Sequence, residues 1–311
     1  MLPAMKWLCS ACLTLSLIAQ VPVERPRLLG IAHLAVFVGN PIAAKSFYQD
    51  LLGFEESFAR PATATSPARA FVKINDRQWI ELIDSPTAGE GQLDHVALYT
   101  ADVRRMRQYL ASRGVQVPDA VTPGPGGDPS FTVVDPDGHR LEFVEYEAQS
   151  RTGRDAGTHL PGTRISDRAL HVGILVGELA RSTPFYGGIL GFEETWRGSA
   201  AKSPTLSWVN MRVPEGTDYL ELMLYGEQPA PDRRGTAHHL CLLVPDAAKA
   251  VAELESRPAR KAYTRAIEVR TGINRKRQVN LFDPDGTRVE LMEPDTVDGK
   301  PAPPSTLPPP R

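Results

Sequence analysis

Cysteine is almost missing from this chain: three in 311 residues, with Cys9 and Cys12 at the very start and Cys241 alone in the body. A disulfide-stapled scaffold is therefore excluded, and stability must come from packing. Basic charge is not in excess either, since 35 Lys and Arg face 37 Asp and Glu, and no basic run with interleaved aromatics occurs. The electrostatic footprint of nucleic-acid binding is missing, so nucleic acid is excluded as a partner. The one long apolar stretch, residues 7–19, falls short of the ~20 residues a membrane span needs.

What is present is an ordinary globular composition, 41% hydrophobic and 23% charged, at a length that implies two domains. The opening MLPAMKWLCSACLTLSLIAQ carries one Lys ahead of the apolar stretch and reads as an export signal over residues 1–19, cut after Ala19. That implies a secreted or periplasmic mature protein without a membrane segment, and it removes Cys9 and Cys12. Cys12 follows Ser10 and Ala11 as a lipidation site would, but the apolar core lies mostly after it, and lipidation is not expected.

Internal repetition is the strongest signal. Four segments open on a strand carrying a histidine: GIAHLAVFV (30–38), LDHVALYT (93–100), ALHVGILV (169–176) and HHLCLLV (238–244). Each closes on an apolar strand carrying a glutamate: WIELI (79–83), RLEFVEY (140–146), YLELMLY (219–225) and RVELME (288–293). The intervening helices match in alternate modules. AAKSFYQDLLGFEE (43–56) pairs with ARSTPFYGGILGFEE (180–194), where Gly53 and Gly191 suit helix C-terminal caps. DVRRMRQYLASRG (102–114) pairs with DAAKAVAELESRP (246–258), each opening on a capping Asp. The chain is a duplication of a duplication. It has a polar, Gly-rich linker at 148–167 between halves at 28–147 and 168–294, and a proline-rich tail at 295–311 that is expected to lack a packed role.

Strand alternation puts i and i+2 on one face. His33 shares a face with Ala35 and Phe37, while Leu34, Val36 and Val38 face a core; Glu81 shares one with Trp79 and Ile83. The same parity relates His95 to Glu142, His171 to Glu221 and His239 to Glu290. A carboxylate interrupting an apolar strand must be paired or bound to a cation. Fourfold recurrence of His with Glu favours metal ligation over a ladder of His–Glu hydrogen bonds, and the donor set suits Zn, Ni, Mn or Fe. His238 is expected at an edge or the surface. Cys241 reads as a small buried filler, and Arg140 and Arg288 as hairpin residues near the rim. Phe37, Trp79, Tyr99, Met223 and Tyr225 would form an apolar wall.

The βαβββ modules with His opening and Glu closing, the LGFEE helix ends, and the hairpins DPDGHRLEF (135–143) and DPDGTRVEL (283–291) resemble the vicinal-oxygen-chelate superfamily. That superfamily includes glyoxalase I, extradiol dioxygenases, methylmalonyl-CoA epimerase, fosfomycin-resistance proteins and metal-free bleomycin-resistance proteins. The resemblance implies an α+β fold of four βαβββ modules forming two cup-shaped domains, each with one divalent ion. It implies the ligands His33, Glu81, His95 and Glu142 in one cup and His171, Glu221, His239 and Glu290 in the other. Adjacent modules are expected to pair, although the first closing on the fourth is an alternative.

The glutathione-contacting Arg and Asn of glyoxalase have no counterpart, Phe37, Leu175, Ser85 and Tyr225 standing there. The His and Tyr that dioxygenases place before DPDG are absent from RQVNLF (277–282) and SFTVV (130–134). The expectation is a redox-neutral lyase or isomerase acting on a small oxygenated molecule, with Glu142 and Glu290 as the catalytic bases. An Fe(II) ring-cleaving dioxygenase and a non-enzymatic sequestering protein are the alternatives. The protein is expected to be a monomer or homodimer.

Overall fold

The computed structural model describes residues 23–86, 92–227, 229–230 and 234–310; the export signal, Cys9 and Cys12 lie outside the described residues. Two eight-stranded sheets repeat one plan. The first holds β1 (Leu28–Val38), β2 (Glu55–Arg60), β3 (Arg69–Asn75), β4 (Gln78–Asp84), β5 (Leu93–Thr100), β6 (Thr122–Pro123), β7 (Pro129–Val134) and β8 (Arg140–Val144). The second holds β9 (Ala169–Val176), β10 (Glu193–Gly198), β11 (Trp208–Arg212), β12 (Tyr219–Leu224), β13 (His239–Leu243), β14 (Arg270–Thr271), β15 (Lys276–Phe282) and β16 (Arg288–Thr296).

Strand order is β2-β3-β4-β1-β5-β8-β7-β6 in one and β10-β11-β12-β9-β13-β16-β15-β14 in the other. The opening strands of adjacent modules pair antiparallel at the centre of each sheet, β1 with β5 and β9 with β13. Each opening strand also pairs in parallel with its own module's closing strand. Modules one and two make one cup, and modules three and four the other.

The helices follow the sequence pattern. Helix α1 (Pro41–Lys45) runs on as a π-helical turn, Ser46–Leu51, and α4 (Leu179–Thr183) as Pro184–Ile189. Between and after them come α2 (Val103–Ser112), α3 (Arg151–Arg154), α5 (Arg234–Ala237) and α6 (Ala247–Ser256). Asp102 and Asp246 cap α2 and α6 by accepting from the amides of Arg105 and Lys249.

The convex faces share one core, in which Leu34, Val36 and Val38 join Ile174, Leu222 and Leu242. The helices pack crosswise. Tyr48 Oη in module one reaches Asp283 of module four at 3.2 Å, and Tyr186 Oη in module three donates to Asp135 of module two at 2.7 Å. Buried hydroxyls need such partners, so these bonds fix the two sheets back to back.

Two expectations are corrected, and the linker proves ordered: segment 148–167 joins the halves as expected but carries α3, and the fully buried Lys73 anchors it by donating to the carbonyls of Asp155 and Thr158. An interior ammonium has to be satisfied, and Asp76, 2.7 Å away, pairs its charge while two carbonyls of the connector take its other hydrogens. The proline-rich tail is extended but packed, Ser305 N donating to Arg197 O at 2.9 Å and Leu206 N to Pro308 O at 2.7 Å, so it covers the open edge of β10. His238 is buried rather than peripheral, its ring 5.4 Å from that of His139.

Gly53 ends the first helix at φ +77, and a Cβ there would fall 2.2 Å from Thr163 O. Gly114 has a similar φ of +79 but open space around it. Gly53→Ala is expected to destabilise by about 3 kcal/mol or more and Gly114→Ala by only about 1 kcal/mol, as measured by urea unfolding. Equal losses would contradict this packing of the connector on the helix end.

Candidate metal centres

Register places the polar side chains in two rows across each sheet. In the first cup Glu81, Ala35 and His95 are Cα partners in one row, and His33, Ala97 and Glu142 in the next. The second cup repeats this as Glu221, Gly173 and His239, then His171, Cys241 and Glu290. All eight ligand candidates named from the sequence therefore fall in two groups of four, divided between adjacent modules.

In the first cup the Nε2 atoms of His33 and His95 stand 2.8 Å apart. Glu142 Oε2 lies 3.1 Å from both, and Glu81 Oε2 lies 3.4 Å from one and 3.5 Å from the other. Around an ion with bonds of ~2.1 Å, neighbouring donors sit roughly 3.0–3.5 Å apart; the His–Glu separations lie in that range and the two imidazoles just short of it, so small shifts would seat a divalent cation. The outer contacts are complete on one side: His95 Nδ1 donates to Asp94 at 2.6 Å, Arg140 holds Asp94, and Arg69 donates to Glu81. A carboxylate behind a histidine fixes its tautomer and raises its basicity as a ligand. Arg69 and Asp94 were not singled out from the sequence, because an Arg on one strand and an Asp beside a His carry no periodic signal.

Burial opposes charge on His95, but Asp94 and Glu142 outweigh it and hold the imidazole at about 9. Burial would raise Glu142, yet His33 and His95 keep it well below the usual carboxylate range.

The second cup is less self-sufficient. His171 and His239 have Nε2 atoms 2.9 Å apart, with Glu290 Oε2 at 3.5 and 3.8 Å and Glu221 Oε2 3.4 Å from His239. His171, His239 and Glu290 form a tight ligand triad, as do His33, Glu81 and His95 in the first cup. His239 Nδ1 lies between Ala237 O at 2.8 Å and Arg288 Nη2 at 2.6 Å; in the tautomer that donates to the carbonyl, Nε2 keeps a lone pair for a cation. Among the described residues His171 Nδ1, Asn210 Oδ1, Asn280 Oδ1 and Arg288 Nε are buried without a hydrogen-bond partner.

Burial, then Arg288, pushes both imidazoles down; burial, then Glu290, pushes Glu221 up to about 8. A bound divalent ion would relieve the Glu221–Glu290 repulsion.

Asn210 and Asn280 face Glu221 and Glu290 across their strands, where the first cup has Phe71 and Thr132. Their sequence signal was a polar residue interrupting WVNMR and VNLF opposite a ligand strand. Arg288 is not a free rim residue, since Nη2 stands 2.6 Å from His239 Nδ1. Cys241 is buried in the ligand row, a position held by Ala97 in the first cup. Of the expected apolar wall, Trp79 packs with Phe58, Phe71 and Tyr146 in the first cup and Met223 and Tyr225 with Leu175 and Trp208 in the second, while Tyr99 lies against Tyr146 and Phe37 joins neither group.

Above the ligands the cups differ. The first leaves only about 30 Å³ among His33, Glu142, Phe71, Tyr146, Gly126 and Thr152. The second opens to about 230 Å³ beside Glu221, Glu290 and Arg288, walled by Trp196, Trp208 and Ile273.

The model of the Glyoxalase/Bleomycin resistance protein/Dioxygenase superfamily matches residues 30–143 and 168–291. Similar solved structures include the 2,3-dioxygenase LapB from Pseudomonas sp. KL28, with 17% identity and a TM-score of 0.65 over 89% of this chain and 97% of that one. Homoprotocatechuate 2,3-dioxygenase from Brevibacterium fuscum has 18% identity and a TM-score of 0.65 over 90% and 75%. The Mn(II)-bound glyoxalase from Novosphingobium aromaticivorans has 17% identity and a TM-score of 0.62 over 86% and 83%. At these identities the likeness is one of fold. No curated protein matches the chain.

Two outcomes are expected from the geometry. A Cβ on Gly173 would lie 2.0 Å from His239 Cε1, so Gly173→Ala displaces that ring and weakens metal binding in the second cup about 10- to 100-fold by calorimetric titration. In metal-free protein, the raised His95 contributes stability below its unfolded pKa of ~6.5 that is lost as pH rises through about 9. Glu221, raised to about 8, adds a penalty that grows between its ordinary range and that value. The lowered His171 and His239 remove stability as pH falls below ~6.5. The Tm of metal-free protein should therefore decline from pH 6.5 to 9, and a rise over that window would contradict the assignment.

Proposed function

Since the chain belongs to the Glyoxalase/Bleomycin resistance protein/Dioxygenase superfamily through both of its repeated segments, we propose that it is a divalent-metal-dependent enzyme of lyase or isomerase type. Its second cup would act on a small oxygenated molecule by redox-neutral proton transfer. The observation that carries this is Glu221, a buried carboxylate held up at about 8, beside a ligand triad and an open cavity.

A divalent cation held by His171, His239, Glu290 and Glu221 would supply Lewis-acid polarisation of two neighbouring substrate oxygens. The residues of the chain do the rest. Glu221 Oε2 lies 3.4 Å from His239 Nε2 and lines the cavity together with Glu290; on leaving the cation its buried carboxylate would favour the protonated form, which suits a base that takes a proton from a substrate carbon. This moves the proton-transfer role in the second cup from Glu290 to Glu221, because Glu290 is one of the three close ligands. Trp196 and Trp208 exclude water from one side. Asn210 and Asn280 have buried Oδ1 atoms without a partner that could accept from a substrate hydroxyl.

A second reading is favoured by the triad itself: two His and one carboxylate with further positions open is also the ligand set of Fe(II) oxygenases. The two readings part on Glu221. Under the first, protein loaded with Zn, Ni or Mn turns over without oxygen, and Glu221→Gln lowers kcat about 10²- to 10⁴-fold with little change in KM. Robust Fe(II)-dependent oxygen uptake with a catechol, unaffected by Glu221→Gln, would replace it with the ring-cleaving dioxygenase.

A further inference from the structure

We propose that the two cups have divided their roles, the first being a closed structural metal site whose cover is the connector between the halves. The inference rests on the metal-dependent reading above and goes beyond it.

Space is the first argument. The room above His33 and Glu142, about 30 Å³, is space for water and too little for a guest of substrate size. The second cup has about 230 Å³. Closed coordination by protein ligands is the mark of a structural site, and an open position that of a catalytic one.

The cover is the second. Thr152 on α3 lines the chamber and donates to Asp128, whose other oxygen accepts from Glu147 N at 2.8 Å. Arg151 N donates to Gly126 O at 2.7 Å, and Ser57 Oγ donates to Asp155 at 2.8 Å. With Lys73 holding the carbonyls beyond α3, the connector is tied to both rims of the cup. No ligand of the first cup belongs to this cover, so it acts on access alone.

The outer contacts are the third. In the first cup Asp94 orients His95 and Arg69 holds Glu81, whereas His171 Nδ1 in the second has no partner among the described residues. Ligands held before the ion arrives lose less freedom on binding and release the ion more slowly. The second cup, with one imidazole that has no hydrogen bond behind it and a larger cavity, should exchange its ion readily.

The test uses full-length protein loaded with Zn(II), with metal content measured by atomic emission and release followed with a metallochromic chelator. Two equivalents per chain are expected, one leaving at least about ten-fold more slowly than the other. Glu81→Gln should abolish the slow phase and lower Tm by about 5 °C or more, whereas Glu221→Gln should alter only the fast phase. Thr152→Ala removes the bond to Asp128, and the milder Arg151→Ala removes the guanidinium's contacts with Asp155 and the Phe58 ring; neither touches a ligand, and both should speed the slow phase selectively.

Two equivalents leaving at one rate, or a slow phase indifferent to Glu81→Gln and to both connector variants, overturns the division of roles. A single ion lost on His171→Gln but retained in Glu81→Gln overturns it too, while leaving the metal-dependent reading intact. No bound metal under any loading would overturn both.

Discussion

Everything in each half depends on the antiparallel pairing of two opening strands, β1 with β5 and β9 with β13. It sets two histidines on neighbouring strands of one concave surface, and the parallel closing strands then bring a carboxylate to either side. Backbone ladders tolerate this cluster because the opposite faces of the same strands carry the shared apolar core. A slip of one residue would drive His33 and Glu81 into that core and turn Leu34 and Val36 to the cup, so burial on one face enforces the register of ligands on the other.

The same scaffold gives two electrostatic outcomes. In the first cup the buried charges nearly answer one another: Asp94 with His95 and Arg140, Glu81 with Arg69, Glu142 with both imidazoles. In the second the position of Asp94 is taken by His238, itself depressed to about 3 by burial and then by His139, and the imidazoles lack a carboxylate behind them. Two carboxylates then face each other, moderated by Arg288 and, at Glu290, by the Cys241 thiol. A few substitutions in equivalent places, Ala35 to Gly173, Ala97 to Cys241 and Phe71 to Asn210, separate a self-satisfied cup from one that calls for a cation and a polar guest.

The connector and the tail extend this asymmetry. Both are segments without hydrophobic periodicity, and both are held by their carbonyls and amides: the connector by Lys73 beside the first cup, the tail by Trp196 and Leu206 beside the second. Trp196 Nε1 donates to Ala302 O at 3.2 Å, so a wall of the open cavity is positioned by the end of the chain.

The sequence by itself determined the modules, the faces of their strands, the helix caps at Asp102, Asp246 and Gly53, and the eight histidines and glutamates. All of these are written in local periodicity or in repetition at a fixed interval. Which modules close on each other was open, because chain connectivity allowed either partner and only strand pairing decided. The burial of His238, the attachment of the connector and the docking of the tail were not legible, since polar segments pack through backbone groups that every sequence carries. The difference between the cups was also a tertiary matter: cavity volume, the partners behind each imidazole and the pull on Glu221 arise where four strands and a distant segment meet, and no single stretch of residues encodes that meeting.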